Sequence, residues 1–180
     1  MADLSEELRA HLFEPQGASV FAVLDGASVP RLLERLYTVG APEWECLYRG
    51  KLEPDMAHVA PYLVRLEAGH RFSDWVLSNG WGNHWGIFAT SEAQLFHLRQ
   101  HFRRFLRVYS PEGQPLYFRY YDPRVLRTYL PTCNAQELIE LFGTVITSYV
   151  MDDEDGTNML RFSNDSGKLK RVVRSLKGKT

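Results

Sequence analysis

Two aspartates stand where short apolar runs end. Asp25 closes the run in Phe21-Ala22-Val23-Leu24-Asp25-Gly26-Ala27, and Asp122 the one in Phe118-Arg119-Tyr120-Tyr121-Asp122-Pro123-Arg124. Ligands of open α/β sheets bind outside the carboxyl ends of strands. Two carboxylates delivered there can hold a divalent cation by hard oxygen ligation, the arrangement of a metal-dependent phosphohydrolase-like enzyme. The same residues also suit a scaffold. Asp122 before Pro123 is a helix N-cap, and Asp25-Gly26 is a turn. No third carboxylate, Lys or Ser/Thr lies at phosphotransfer spacing, so corner-forming roles for Asp25, Gly26, Asp122 and Pro123 are the expectation.

Other chemistry is thinly signalled. His97 and His101 share a helix face, as metal-binding pairs do, but Leu98 replaces the glutamate of a H-E-x-x-H site, and a solvated flank is expected. Trp81, His84 and Trp85 lie in the Gly-rich run Asn79–Gly86, which reads as a loop and makes either a binding platform or an apolar plug over a sheet. Neither a G-x-x-x-x-G-K-[ST] loop nor a Gly-x-Ser-x-Gly elbow occurs. Cys46 and Cys133 form no C-x-x-C pattern and read as reduced thiols, with no metal or other cofactor implied. Arg99, Arg103 and Arg107 could touch RNA. The 180-residue chain nevertheless has a formal net charge of -1, so no global basic excess exists to displace counterions, and no nucleic-acid partner is expected. No apolar run reaches the ~18 residues of a membrane span, and the charged start lacks an apolar signal core.

These residues need elements to position them. Val20–Leu24 is a continuous apolar run, read as a strand buried on both faces. Ser28 offers an N-cap with Pro30 in the first turn, and Leu32, Leu33, Leu36 and Tyr37 follow at helical spacing up to Gly40. Trp44–Tyr48 is a second strand, giving a β-α-β start with parallel strands. Pro61 opens a strand over Tyr62–Leu66, a short helix follows at Phe72–Leu77, and a strand at Ile87–Ala89. Ser91 and Gln94 read as a capping box for a helix with Leu95, Leu98, Phe102, Phe105 and Leu106 on one face. Val108–Tyr109 and Leu116–Tyr121 bracket a hairpin turn. Asn134 and Glu137 form a further capping box, and Gly143 ends that helix. Strands at Val145–Val150 and Met159–Phe162 flank the acidic turn Asp152–Gly156. The expected class is α/β, one domain with a mixed sheet and antiparallel hairpins toward the C-terminus. Residues 1–19 are an N-terminal extension, 20–167 the domain, and 168–180 a basic tail with Leu169, Val172, Val173 and Leu176 along one side of a helix.

The ordered set Phe21–Ala27, Leu47-Tyr48-Arg49-Gly50, Ala60-Pro61-Tyr62-Leu63-Val64, the helix with His101, Phe118–Leu126 and Phe142-Gly143 resembles the adaptor/chaperone domain of bacterial type VI secretion systems over about residues 20–145. That resemblance implies a cytoplasmic, non-enzymatic protein. Its implied partners are one cognate secreted effector and the VgrG spike onto which the effector is loaded. Trp81, Trp85, Tyr120, Arg124 and the tail face Leu169, Val172, Val173 and Leu176 are the expected partner contacts, chosen as large groups at loop or terminal positions. Pro61 and Tyr62 join the two aspartate corners as structural residues.

Overall fold

The computed structural model describes residues 4–14 and 17–176. Its centre is a seven-stranded sheet in the order β2-β3-β1-β4-β7-β8-β9. The chain begins with α1 (Leu4–Leu12), β1 (Ser19–Asp25), the single turn α2 (Leu32–Arg35) with a π-helical continuation at Leu36–Gly40, and β2 (Trp44–Cys46). Next come α3 (Pro54–Val59), β3 (Pro61–Leu66), α4 (Arg71–Gly80), β4 (Gly86–Ser91) and α5 (Leu95–Arg103). A separate two-stranded ribbon, β5 (Arg107–Tyr109) and β6 (Pro115–Tyr117), precedes α6 (Pro123–Tyr129) and α7 (Ala135–Phe142). The meander β7 (Ser148–Asp152), β8 (Asn158–Asp165) and β9 (Lys168–Ser175) completes the sheet.

β1 is buried along nearly its whole length because both sheet faces are covered. Side chains alternate across a strand. Val20, Ala22 and Leu24 therefore enter a core with Leu8 and Leu12 of α1, Leu32 and Leu36, and Phe72 and Val76 of α4. Phe21 and Val23 enter the opposite core, with Leu98 and Phe102 of α5, Leu126 of α6, and Leu138 and Phe142 of α7. The result is an α/β/α sandwich, in agreement with the expected α/β class and C-terminal hairpins. The β-α-β start takes a different form. β1 and β2 run in the same direction, but β3 is inserted between them, and every recorded pairing in the sheet is antiparallel.

Several local expectations shift. Ser28 donates its hydroxyl to Asp25 Oδ2 (2.8 Å) instead of capping α2. Ser91 accepts the Ala93 N–H (2.9 Å), and the helix starts three residues later, after Gln94. Phe118–Tyr121 is irregular, because the ribbon ends at Tyr117 and the aromatic side chains fold inward. Asp122 does cap α6, and the Asn134/Glu137 capping box is complete.

The described parts of the two terminal segments pack against the rest of the fold. Leu8 and Leu12 of α1 are fully buried, and Arg9 pairs with Asp74 of α4 at 2.8 Å. The basic tail is a strand, β9, paired with β8 from Asn158↔Ser175 to Asp165↔Lys168. Strand alternation puts Val172 and Val173 on opposite faces, so the four tail apolar residues share no stripe. Lys177 and Lys179 lie outside the described residues. Among the described residues, no helix is long and apolar enough to cross a membrane.

Candidate partner-binding groove

The aspartate corners are tied up inside the chain. Asp25 is buried and accepts the Ala27 N–H (3.0 Å), the Ser28 hydroxyl (2.8 Å) and the Arg119 guanidinium. Its neighbour Gly26 donates to the Ala60 carbonyl at 3.0 Å, and an added Cβ would lie 2.5 Å from that oxygen. Only glycine lets β1 turn against the Ala60-Pro61 start of β3. Tyr62 reinforces the corner by donating its hydroxyl to the Ala57 carbonyl (2.7 Å). Asp122 accepts the Arg124 N–H and both arms of the Arg124 guanidinium (2.7 and 3.0 Å). Although desolvation opposes it, these bonds hold its carboxyl below the usual carboxylate range. Among the described residues, no group of three or more His, Cys, Asp or Glu side chains is placed to hold a metal ion.

The expected contact residues divide between interior and surface. Trp81 is a plug: its ring stacks on Phe88 and its Nε1–H donates to the Gly156 carbonyl (2.8 Å). The adjacent Gly82 N–H donates to Asp152 Oδ2 (2.8 Å), locking this loop to the β7–β8 turn. Burial pushes the Asp152 carboxyl up, opposed by that N–H and by Arg127. Tyr120 is 2% exposed and donates to the Phe102 carbonyl (3.0 Å), and Leu176 is 3% exposed. Trp81, Tyr120 and Leu176, expected as partner contacts, thus lie in the core of this fold. Trp85 is half-buried against Trp75, with ring centroids 4.9 Å apart. Leu169 packs partly on the core. Arg124, Val172 and Val173 reach solvent, Arg124 while paired with Asp122.

His101 is also interior. Its Nε2–H donates to the Leu141 carbonyl (2.8 Å), pinning α5 to α7, and burial pulls its pKa below the ordinary value, with Arg104 adding to the effect. The arginines of α5 have partners within the chain. Arg99 pairs with Glu45 at 2.9 Å. Arg103 reaches past the end of β2 to the carbonyls of Cys46 (2.8 Å), Leu47 (3.1 Å) and Tyr48 (3.1 Å).

That reach shapes one side of a concavity. Arg103 holds the 46–48 segment against the C-terminal end of α5, while α3 and the β5–β6 ribbon form further walls. The groove between them encloses about 850 Å³. Leu47, Leu52, Met56 and Leu106 give it an apolar lining, Tyr48, Tyr109 and Tyr117 add aromatic rings, and Arg49, Arg103, Arg104 and Arg107 contribute charge. No Asp or Glu is among the lining residues. Tyr109 and Tyr117 are 69% and 70% exposed, and Met56 is 47% exposed. Arg107 lies over the Tyr117 ring, 5.8 Å from its centroid. Large exposed aromatics beside arginines match the composition of protein-binding surfaces.

Sequence reasoning recognised the hairpin around 110 and missed this groove. One signal was present: Val108, Tyr109, Leu116 and Tyr117 make the ribbon apolar on both faces, which two strands alone cannot bury. The sequence model of one protein family, described as a domain of unknown function (DUF4123), matches residues 20–140. No curated protein and no solved structure matches the chain.

Proposed function

Because the chain belongs to the DUF4123 family, and because nearly the same span resembles type VI secretion adaptors, we propose that it is a cytoplasmic adaptor that binds one cognate secreted effector and helps load it onto the VgrG spike. The observation that carries this reading is the groove of about 850 Å³ lined by exposed Tyr109, Tyr117 and Met56 together with four arginines. Its walls are side chains suited to holding a partner: aromatic anchors for an apolar segment and arginines for flanking carboxylates. On this reading the work is association without bond chemistry. The aspartate corners support it by fixing where β1 ends and α6 begins.

Co-expression of the tagged chain with the product of the adjacent open reading frame, which the proposal expects to be a large toxin, tests the proposal. The two should co-elute, and Tyr109→Ala with Tyr117→Ala should weaken capture by at least about tenfold, the cost of losing one good aromatic anchor. A toxin that never co-elutes, from a locus that also lacks a spike gene, would sink the adaptor reading.

A further inference from the structure

The outer edge of β9 is a second candidate surface, built from residues that the groove does not use and that lie beyond the family match. The Leu176 N–H donates to the Thr157 carbonyl (2.9 Å), which sets the phase of the β8–β9 ladder. In an antiparallel pair, alternate residues exchange bonds with the neighbour while the rest point away. Residues 168, 170, 172, 174 and 176 therefore bond to β8. Leu169, Arg171, Val173 and Ser175 turn their N–H and C=O groups outward, and among the described residues those groups have no recorded partner.

The edge is long, pinned and charged. Ser166 and Gly167, both at positive φ, form a two-residue hairpin turn that fixes the register. An added Cβ at Gly167 would meet Ala135 Cβ at 2.8 Å, so the turn sits directly on the start of α7. Val172 and Val173 are 49% and 51% exposed, which leaves apolar surface on both faces of the strand. Lys168, Lys170, Arg171 and Arg174 flank them, and among these Lys170 pairs with Asp165 (2.6 Å). Antiparallel pairing of β9 with a second copy of itself would gather the cations of both strands on one ribbon with no acidic residue of β9 to offset them, which is unfavourable. An acidic strand would neutralise those cations while satisfying the outward backbone groups.

We infer that the β9 edge docks an extended, acidic segment of a partner protein by strand addition, with main-chain hydrogen bonds supplying affinity and the lysines and arginines selecting charge. This inference does not rest on the adaptor reading, since cargo could occupy the groove with β9 free, and the reverse holds too.

The probe is a fluorescein-labelled eight-residue peptide of alternating Glu and Val, with a Lys/Val peptide as control. Anisotropy should show saturable binding of the acidic peptide alone. Val173→Pro removes one outward N–H and leaves the β8 ladder untouched, a position where an edge strand tolerates proline. It should weaken binding at least about tenfold, with the melting temperature little changed. Arg171→Glu with Arg174→Glu should do the same and supplies a second arm should the proline disturb folding. Hydrogen exchange should show new protection at the amides of 169, 171, 173 and 175, while those of 168, 170 and 172 are protected before peptide is added. Any one of four results would overturn the inference. These are no saturable binding up to about 1 mM peptide, binding unchanged by both sets of variants, binding abolished by Tyr117→Ala in the groove, or tighter binding of a mixed-sequence RNA that Val173→Pro leaves intact. Self-association through β9 in sedimentation, lost in Val173→Pro, would assign the edge to a second copy and likewise overturn it.

Discussion

The sheet's two edges expose the same kind of backbone group and deal with it differently. At one edge β2 is three residues long, and Arg103 takes the Cys46, Leu47 and Tyr48 carbonyls where the strand gives out. At the other, β9 is eight residues long, and among the described residues its outward groups meet no side chain. Unpaired edges template association unless they are shortened, covered or charged. β2 is shortened and covered, so another strand would have to displace a guanidinium held by three carbonyls. β9 is only charged. A charge guard depends on salt and on the incoming partner's sign, so it repels some strands and admits others.

Removing an edge outright should have the largest effect. A chain ending at Gly167 loses β9, leaves Met159, Leu160 and Phe162 of β8 at the margin, and deletes the buried Leu176. The expected cost is at least about 4 kcal/mol from lost apolar burial and ladder bonds, seen as a collapse of the urea midpoint or as insoluble product. A truncated chain that melts like the intact one would mean that β9 is an appendage and that the two edges are not comparable parts of one sheet.

Opening the β2 edge comes next. Arg103→Ala releases three carbonyls at once and should cost about 2 kcal/mol, the scale of a charge-assisted bond lost from a partly buried site. Arg103→Lys, a point charge without the fork, should recover part of that. Urea denaturation checks the stability. Light scattering checks the further expectation that the freed Cys46 and Tyr48 carbonyls promote association. Equal stability of Arg103→Ala and the parent would remove the claim that a side chain closes this edge.

Local rules that need no distant partner were legible in the chain. The continuous run Val20–Leu24 identified a strand covered on both faces, and Asp122-Pro123 and Asn134/Glu137 identified two helix starts from bonds within three residues. The tail was misread because Leu169, Val172, Val173 and Leu176 fit helical spacing, while the β8 edge that recruits them is set by tertiary structure. The adjacent β-branched pair Val172-Val173 and the preceding Ser166-Gly167 turn were the strand signals in that stretch. His101 was placed on a solvated flank because stripe geometry cannot say how wide the covering layer is. Here α7 adds the Leu141 carbonyl that makes the site interior. The groove draws on four segments spread over residues 47–117, and its closure depends on Arg103 crossing between two of them, so no local pattern carried it.

His101 connects the helices that serve the two edges: α5 carries Arg103 to β2, and α7 seats the β9 turn through Ala135. Its pKa is lowered in the fold, chiefly by burial, from an ordinary value of 6.5. Well above that value neither folded nor unfolded chain takes up the proton, so His101 contributes no pH dependence. Below it the unfolded chain protonates first, and stability falls as pH falls toward the lowered value. Urea midpoints read from pH 7 downward should show this slope, and His101→Gln, whose amide can still donate to Leu141, should flatten it by at most one proton. An unchanged slope would mean that acid sensitivity arises elsewhere.

The smallest expected effect decides whether β9 is kept for stability or for contact. Val173 faces solvent on an edge strand, so Val173→Thr keeps the β-branched shape and removes only exposed apolar surface. Changes of this kind stay within about 0.5 kcal/mol, and the urea midpoint should not move measurably. The same test at the other edge is harsher, because Leu47 is fully buried next to the Arg103 clamp, and Leu47→Ala should cost about 2–5 kcal/mol through the cavity it leaves. A Val173→Thr chain as destabilised as Leu47→Ala would mean that the β9 side chains hold the fold together, and the contrast between a closed edge and a receptive one would fail. Neutrality at 173, together with weakened binding of the acidic peptide, would give that exposed valine a role that folding does not require.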